Sequence, residues 1–148
     1  MQVKNWMIKK VVREIDTIRG QGEGGLNFWL RRVFRFLVRS QILVGLGAAN
    51  VVPDRSRVEL DSGAVLDCNQ FSEVLGNIAG AGSISLGAGG SNVLQTTGDD
   101  DAVLSGGISG GGTAGLGKGG AGTLTLEGAS TYLGTTTVSG GNLRLANA

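Results

Sequence analysis

Apolar and polar residues alternate in short runs through the last part of the chain. Thr123–Leu126 and Asn142–Leu145 carry leucine at every second position, and residues 135–138 show a weaker form of the pattern. Alternation at period two puts every second side chain on one face of a β-strand. Glycine-containing breaks separate the runs, and glycine is favoured in tight turns. The pattern predicts strands of about four or five residues that recur roughly every ten residues.

Similar short runs continue upstream as far as Ile42. The breaks between them are rich in Gly, Asp, Asn and Ser, which are typical of turns. No tight Asn-Gly turn joins two long strands, which argues against a meander of hairpins. The sequence therefore predicts strands at 42–44, 57–60, 64–67, 74–78, 83–86, 93–94 and 102–104, with turns that include 87–91, 98–101 and 106–112.

The first forty residues follow a helical period instead. Residues 3–19 place apolar side chains at three- and four-residue spacing from Ile8 to Ile18, which predicts an amphipathic helix. Residues 28–39 predict a second helix with a stripe of basic residues at Arg32, Arg35 and Arg39. We therefore divide the chain into a basic amphipathic segment at 1–41 and a β-region at 42–148.

Three interpretations of the basic segment stay open. Its apolar side suits a cap on the open end of the β-region. Residues 28–44 also suit contact with an anionic membrane. The segment is alternatively a remnant of an export signal, because arginines precede the apolar run at 42–49, although that run is shorter than the roughly 20 residues of a spanning helix. The arginines lie among Trp, Val and Phe, which argues against nucleic acid as a partner.

Charge and glycine divide the chain at a similar place. Residues 1–57 hold eleven of the thirteen Lys and Arg residues and four acids, whereas residues 58–148 hold two basic and eight acidic residues. Twenty-two of the 28 glycines lie in the second part. Flexible glycine linkers lack regularly spaced Leu, Ile and Val, so this composition indicates a repeat fold.

Few residues in the chain suit catalysis or metal binding. The chain has no histidine, so the usual hydrolytic triad cannot form. The single cysteine, Cys68, indicates a small buried hydrophobe, and Lys118 lacks the following Ser or Thr that a P-loop requires. Asp99, Asp100 and Asp101 are weak metal candidates without the spaced ligands of a calcium loop. We expect no catalytic residue and no cofactor.

The stretch GAGTLTLEGASTYLGTTTVSGGNLRL, residues 120–145, resembles the autotransporter-associated β-strand repeat (the passenger-associated transport repeat) of bacterial autotransporter passengers. Ser130 departs from the usual asparagine. Residues 47–90 resemble the segment that precedes this repeat, with Cys68 and Gln70 in place of a usual leucine and glycine. The matching positions are Gly120, Gly122, Thr123, Leu124, Thr125, Leu126, Gly128, Thr131, Tyr132, Gly134, Thr136, Thr137, Val138, Gly141, Leu143 and Leu145.

The resemblance implies a fold, a right-handed parallel β-helix. About 100 residues of such a solenoid would form about four to five coils. Its core would be aliphatic, with Phe71 and Tyr132 as aromatic exceptions. The inward side chains of the repeat are expected to be Leu124, Leu126, Val138, Leu143 and Leu145.

The resemblance also implies a function. It implies a piece of a longer passenger that reaches the bacterial cell surface through an outer-membrane translocator barrel. There the chain would be a structural stalk without catalysis, and the repeat would aid translocation and folding. An adhesin-type binding module, which would use the outward face to hold a host or cell-surface ligand, is the alternative. An aromatic or acidic cluster on the outward strand faces would favour the adhesin.

Overall fold

Short parallel β-strands make up the regular structure of the residues that the computed structural model describes, 35–38 and 43–147. Fourteen strands follow one another in these residues, and none exceeds four residues. They are β1 Arg35–Val38, β2 Leu43–Gly45, β3 Arg57–Leu60, β4 Val65–Asp67, β5 Glu73–Leu75, β6 Asn77–Gly80, β7 Ser83–Ser85, β8 Val93–Thr96, β9 Ala102–Leu104, β10 Ile108–Ser109, β11 Gly115–Lys118, β12 Thr123–Leu126, β13 Thr136–Val138 and β14 Asn142–Leu145.

The strands form three sheets that the chain visits in turn. Sheet A contains β1, β3, β6, β9, β12 and β14, sheet B contains β2, β4, β7 and β10, and sheet C contains β5, β8, β11 and β13. Paired strands are parallel in all three sheets. The six strands of sheet A mark five turns of the chain, so the described part of the protein is a β-solenoid. The predicted parallel solenoid of about four to five coils is confirmed.

Equivalent residues of successive coils stand in columns. In sheet A, Leu60 pairs with Gly80, Gly80 with Leu104, Leu104 with Leu126, and Leu126 with Leu145. These positions are 19 to 24 residues apart along the chain. Because a coil cannot bury its inward face alone, each column gains its stability from the coils on either side.

Most of the solenoid's interior is aliphatic. Burying each leucine or isoleucine contributes about 1.5–3 kcal/mol. Tyr132 packs against this core and is partly buried. Phe71 lies in the corner before β5 and is 36% exposed, so its assignment to the core is wrong. The large buried aliphatic residues are Leu60, Leu66, Leu75, Ile78, Ile84, Leu86, Leu94, Leu104, Ile108, Leu116 and Leu124.

Two details of the predicted strands are wrong. The run at 74–78 is divided into β5 and β6 by Gly76, whose N–H donates to the Ser56 carbonyl at 2.9 Å as the chain turns a corner. The predicted turn at 106–112 contains β10, because Ile108 is buried and pairs with Ile84 of β7. β11, which the alternation did not predict as a strand, follows it.

The start of the described chain is also a strand. β1 pairs with β3, with Phe36 opposite Val58 and Val38 opposite Leu60. This corrects the helix predicted for 28–39 at these four residues, whose backbone pairs with β3 at the edge of sheet A. The helix predicted at 3–19 and the rest of 28–39 lie outside the described residues. The described part contains no helix long and apolar enough to cross a membrane.

Candidate functional site: the repeat coil

The repeat motif recognised in the sequence forms the last coil that the structure describes. Its leucine-rich ends are β12 and β14, which pair with each other in parallel, Leu124 opposite Leu143 and Leu126 opposite Leu145. Between them, β13 pairs with β11 of the preceding coil. The motif therefore spans one complete turn of the solenoid and begins the next.

Burial of the five predicted inward residues differs between the two ends of the motif. Leu124 and Leu126 are buried, as expected, and Leu143 is partly buried against the core. Val138 is 49% exposed and Leu145 is 68% exposed, so the expectation that these two are shielded from solvent is wrong. They align with the inward residues Lys118 and Leu126. Their exposure arises because, among the described strands, β13 and β14 end their sheets.

Tyr132 occupies the side of this coil where sheet B has no strand. Beside β10 the chain forms no strand, and the Thr131 N–H donates a hydrogen bond to the Ile108 carbonyl at 2.8 Å. The Tyr132 ring packs on the core, and its hydroxyl oxygen lies 2.6 Å from Thr136 Oγ1. Gly134 then brings the chain back to the preceding coil, with its N–H donating to the Ala114 carbonyl at 2.9 Å. The aromatic residue of the motif thus closes the interior in place of a strand.

The three consecutive aspartates lie at the corner before β9, beneath the repeat coil. Asp99 accepts a hydrogen bond from the Ala121 N–H at 2.9 Å, and Asp101 accepts one from the Thr123 N–H at 2.7 Å. The described residues contain no group of three or more His, Cys, Asp or Glu side chains placed to hold a metal ion. The aspartates instead connect their own coil to the start of the repeat coil.

Lys118, at the end of β11, is the largest fully buried side chain among the described residues. It lies in an inward column of sheet C with Leu75, Thr96 and Val138. Its Nζ donates to three carbonyl oxygens, those of Gly119, of Gly120 at 3.1 Å and of Gly140 at 3.3 Å. The first two belong to its own corner and the third to the corner after β13. The sequence around this lysine suggested only a comparison with a P-loop, and no local pattern predicted its contact between coils.

Glu73, at the start of β5, is a second buried charged residue that the sequence pattern did not predict. Its carboxylate accepts hydrogen bonds from the backbone N–H groups of Val52 at 2.9 Å and of Val51 at 3.1 Å. Burial raises the pKa of Glu73, and the charge of Asp54 raises it further, whereas the donated hydrogen bonds lower it. Glu73 thereby fixes the backbone at residues 51–52, which lies on the sheet C side of the first coil.

Cys68 follows β4 and is fully buried. Burial raises the pKa of its thiol to about 12, and the charges of Glu73 and Asp67 contribute to the increase. A thiol with so little thiolate is a poor nucleophile and a poor metal ligand. Its position agrees with the prediction of a small buried hydrophobe.

Comparison with known proteins identifies the repeat. Residues 116–145 match the family model described as Passenger-associated-transport-repeat. Searches of curated proteins and of solved structures found no match. The matched segment begins at Leu116 and therefore also includes Lys118, upstream of the motif read from the sequence. Residues 116–145 are thus similar to the passenger-associated-transport-repeat, and the suspected resemblance to autotransporter passengers is confirmed for this segment.

Proposed function

We propose that this chain is part of an autotransporter passenger and acts as a non-catalytic β-solenoid stalk at the bacterial cell surface. The observation that carries the proposal is that the matched repeat forms a coil stacked in register on the preceding coils. Its inward leucines continue the column of the coils before it. The repeat is therefore a structural continuation of the solenoid, as expected of a stalk.

The outward faces favour a stalk over an adhesin. None of the strands β2 to β14 contains an aromatic residue, and aromatic side chains dominate most binding hot spots. On the outward faces of these strands the exposed large apolar residues are Leu43, Val93 and Val103, which lie on sheets B, C and A respectively and so form no common patch. The carboxylates of Asp99 and Asp101 accept backbone hydrogen bonds from the next coil, at Ala121 and Thr123, and are therefore engaged within the solenoid.

The repeat coil has features that suit folding after export. A coil of a solenoid is stable only when it stacks on a neighbour, and the repeat coil meets its neighbour through hydrogen bonds on three sides. Leu116 donates to the Thr135 carbonyl at 3.0 Å, Glu127 to Leu104 at 2.9 Å, and Thr131 to Ile108 at 2.8 Å. We infer that the repeat aids translocation by stacking on other coils outside the cell. It either folds on coils that have already left the translocator barrel or provides the surface on which later coils fold.

Surface display of the full chain tests this proposal. The chain, placed between an export signal and a translocator barrel, should reach the surface of intact cells in a form that resists mild protease. Leu124→Asp puts a charge into the interior, where Leu124 is 1% exposed, whereas Thr125→Asp puts the same charge on the outward face. We expect the first change to abolish protease-resistant display and the second to preserve it. Retention of the unaltered chain inside the cell, or equal display of both variants, would refute the proposal.

A further inference from the structure

The strands on either side of the Lys118 contact carry little information about their alignment. β11 reads Gly-Leu-Gly-Lys and β13 reads Thr-Thr-Val, with all three β13 residues exposed. The inward pairs are Leu116 with Thr136 and Lys118 with Val138. Glycine-rich strands and strands that are polar on both faces specify pairing register weakly. Side-chain packing alone therefore does not select the observed alignment of β13.

Lys118 makes a contact that depends on how β13 is aligned with β11. An ammonium group is costly to bury unless hydrogen-bond acceptors surround it, and Nζ is surrounded by three carbonyl oxygens. The described part of the chain puts no carboxylate in ion-pair contact with it. Of the three acceptors, the Gly140 carbonyl alone belongs to the following coil. A slip of β13 by one residue moves that carbonyl by about 3.3 Å, which is enough to break the contact.

We propose that Lys118 is the residue that sets the register of the repeat coil, through its hydrogen bond to the Gly140 carbonyl. A buried polar group that fixes register at some cost in stability is well attested in helical assemblies. Here the same principle acts between coils of a solenoid. A coil stacks correctly on β11 only if its corner presents a carbonyl to Nζ. This specificity goes beyond the role of a stalk and does not depend on export.

Disulfide trapping in the full chain tests the proposal directly. Gly117 pairs with Thr137 on the outward side of β11 and β13, and strands about 4.8 Å apart bring paired residues within disulfide range. In a Cys68→Ala background, Gly117→Cys with Thr137→Cys reports the observed register. Gly117→Cys with Thr135→Cys, or with Ser139→Cys, reports a slip of two residues that keeps the same face outward. Oxidation yields are compared among the three pairs.

Lys118→Met removes the ammonium and keeps an unbranched chain, and Leu116→Met is the matched inward control on the same strand. We expect the ratio of observed-register to slipped disulfide to fall about tenfold in Lys118→Met, as the loss of a charged hydrogen bond implies. The ratio should be unchanged in Leu116→Met. An unchanged ratio in Lys118→Met, or an equal fall in the control, overturns the proposal. If Lys118→Met does not fold, Lys118→Gln, whose side chain is shorter, decides the same question in the same assay.

Discussion

Glu73 and Val52 are joined by a 2.9 Å hydrogen bond in which a carboxylate with no exposed surface accepts a backbone N–H. Val51 donates to the other carboxylate oxygen at 3.1 Å. The first coil has no strand in sheet C among the described residues, so the backbone at 51–52 has no β-ladder partner on that side. A side chain from the next coil provides the acceptors instead.

The stability of the chain should depend on pH through Glu73. Burial, the largest effect, raises the pKa of Glu73 above its usual 4.5. The folded state therefore holds this proton to a higher pH than the unfolded state does. The contribution of Glu73 protonation to the free energy of unfolding is complete below about pH 4.5. It is lost as the pH rises through the folded-state pKa of Glu73.

Glu73→Gln should remove this part of the pH dependence. We expect the free energy of unfolding of the wild type to decrease relative to that of Glu73→Gln as the pH rises from 4.5 toward neutrality. Denaturant unfolding at a series of pH values measures the difference. Asp54→Asn should narrow the pH range of the decrease, because the Asp54 charge raises the Glu73 pKa. Parallel profiles for the wild type and Glu73→Gln would contradict the prediction.

Cys68 should resist thiol reagents in the folded protein. A pKa of about 12 instead of 9.0 lowers the thiolate fraction at pH 8 about a thousandfold, and the thiol has no exposed surface. We expect labelling by a disulfide reagent to be at least a hundredfold slower in buffer than in denaturant. The control is Cys68→Ala with Ser91→Cys, which places the thiol at an exposed turn and should react rapidly in both conditions.

Gln70 holds a backbone conformation that favours glycine. Its φ of 67° lies in the left-handed region, and the resemblance to passengers places a usual glycine at this position. Relief of the backbone strain should exceed the entropic cost of the more flexible glycine in the unfolded chain. Gln70→Gly should therefore raise the free energy of unfolding by up to about 1 kcal/mol. Gln70→Ala keeps the strain and should not stabilise. A thermal melt that ranks Ala above Gly would contradict this explanation.

The sequence predicts the apolar columns well because they depend on spacing alone. Leu124 and Leu126 are two residues apart, and both lie inward as this spacing requires. The strands β10 and β11 were missed because glycine carries no side chain that reveals a period. Ile108 is the sole aliphatic residue of β10, too few to establish alternation.

Charged residues in the interior were missed for another reason. A charged residue is ordinarily assigned to the solvent-facing side of a strand. However, Lys118 follows Leu116 by two residues, and Glu73 precedes Leu75 by two. Period two therefore places each charge on the inward face. Their acceptors and donors, the Gly140 carbonyl and the Val51 N–H, lie 22 residues away along the chain. Such partners are revealed by the stacking of coils and not by any local pattern.

Gly122 should be intolerant of any side chain. A Cβ at this position would lie 2.2 Å from the Asp100 carbonyl oxygen of the preceding coil. Gly122→Ala therefore forces the corner apart and should lower the free energy of unfolding by about 2–4 kcal/mol. Gly89→Ala is the matched control, because nothing lies within 4 Å of its added Cβ. Urea unfolding of both variants should show a large loss for the first and a change below about 0.5 kcal/mol for the second.

The exposed edge of β13 and β14 should make the isolated chain self-associate. Val138 and Leu145 occupy inward columns yet are 49% and 68% exposed, and their strands end sheets C and A among the described residues. Unpaired strand edges beside apolar side chains template pairing with another chain. Leu145→Asn should therefore shift the chain toward monomer in light scattering at matched concentration. Leu133→Asn is the control, since Leu133 is 76% exposed but lies outside the strands. An equal effect of both changes would indicate nonspecific hydrophobic association. A monomeric wild type would show that the edge is not a site of association.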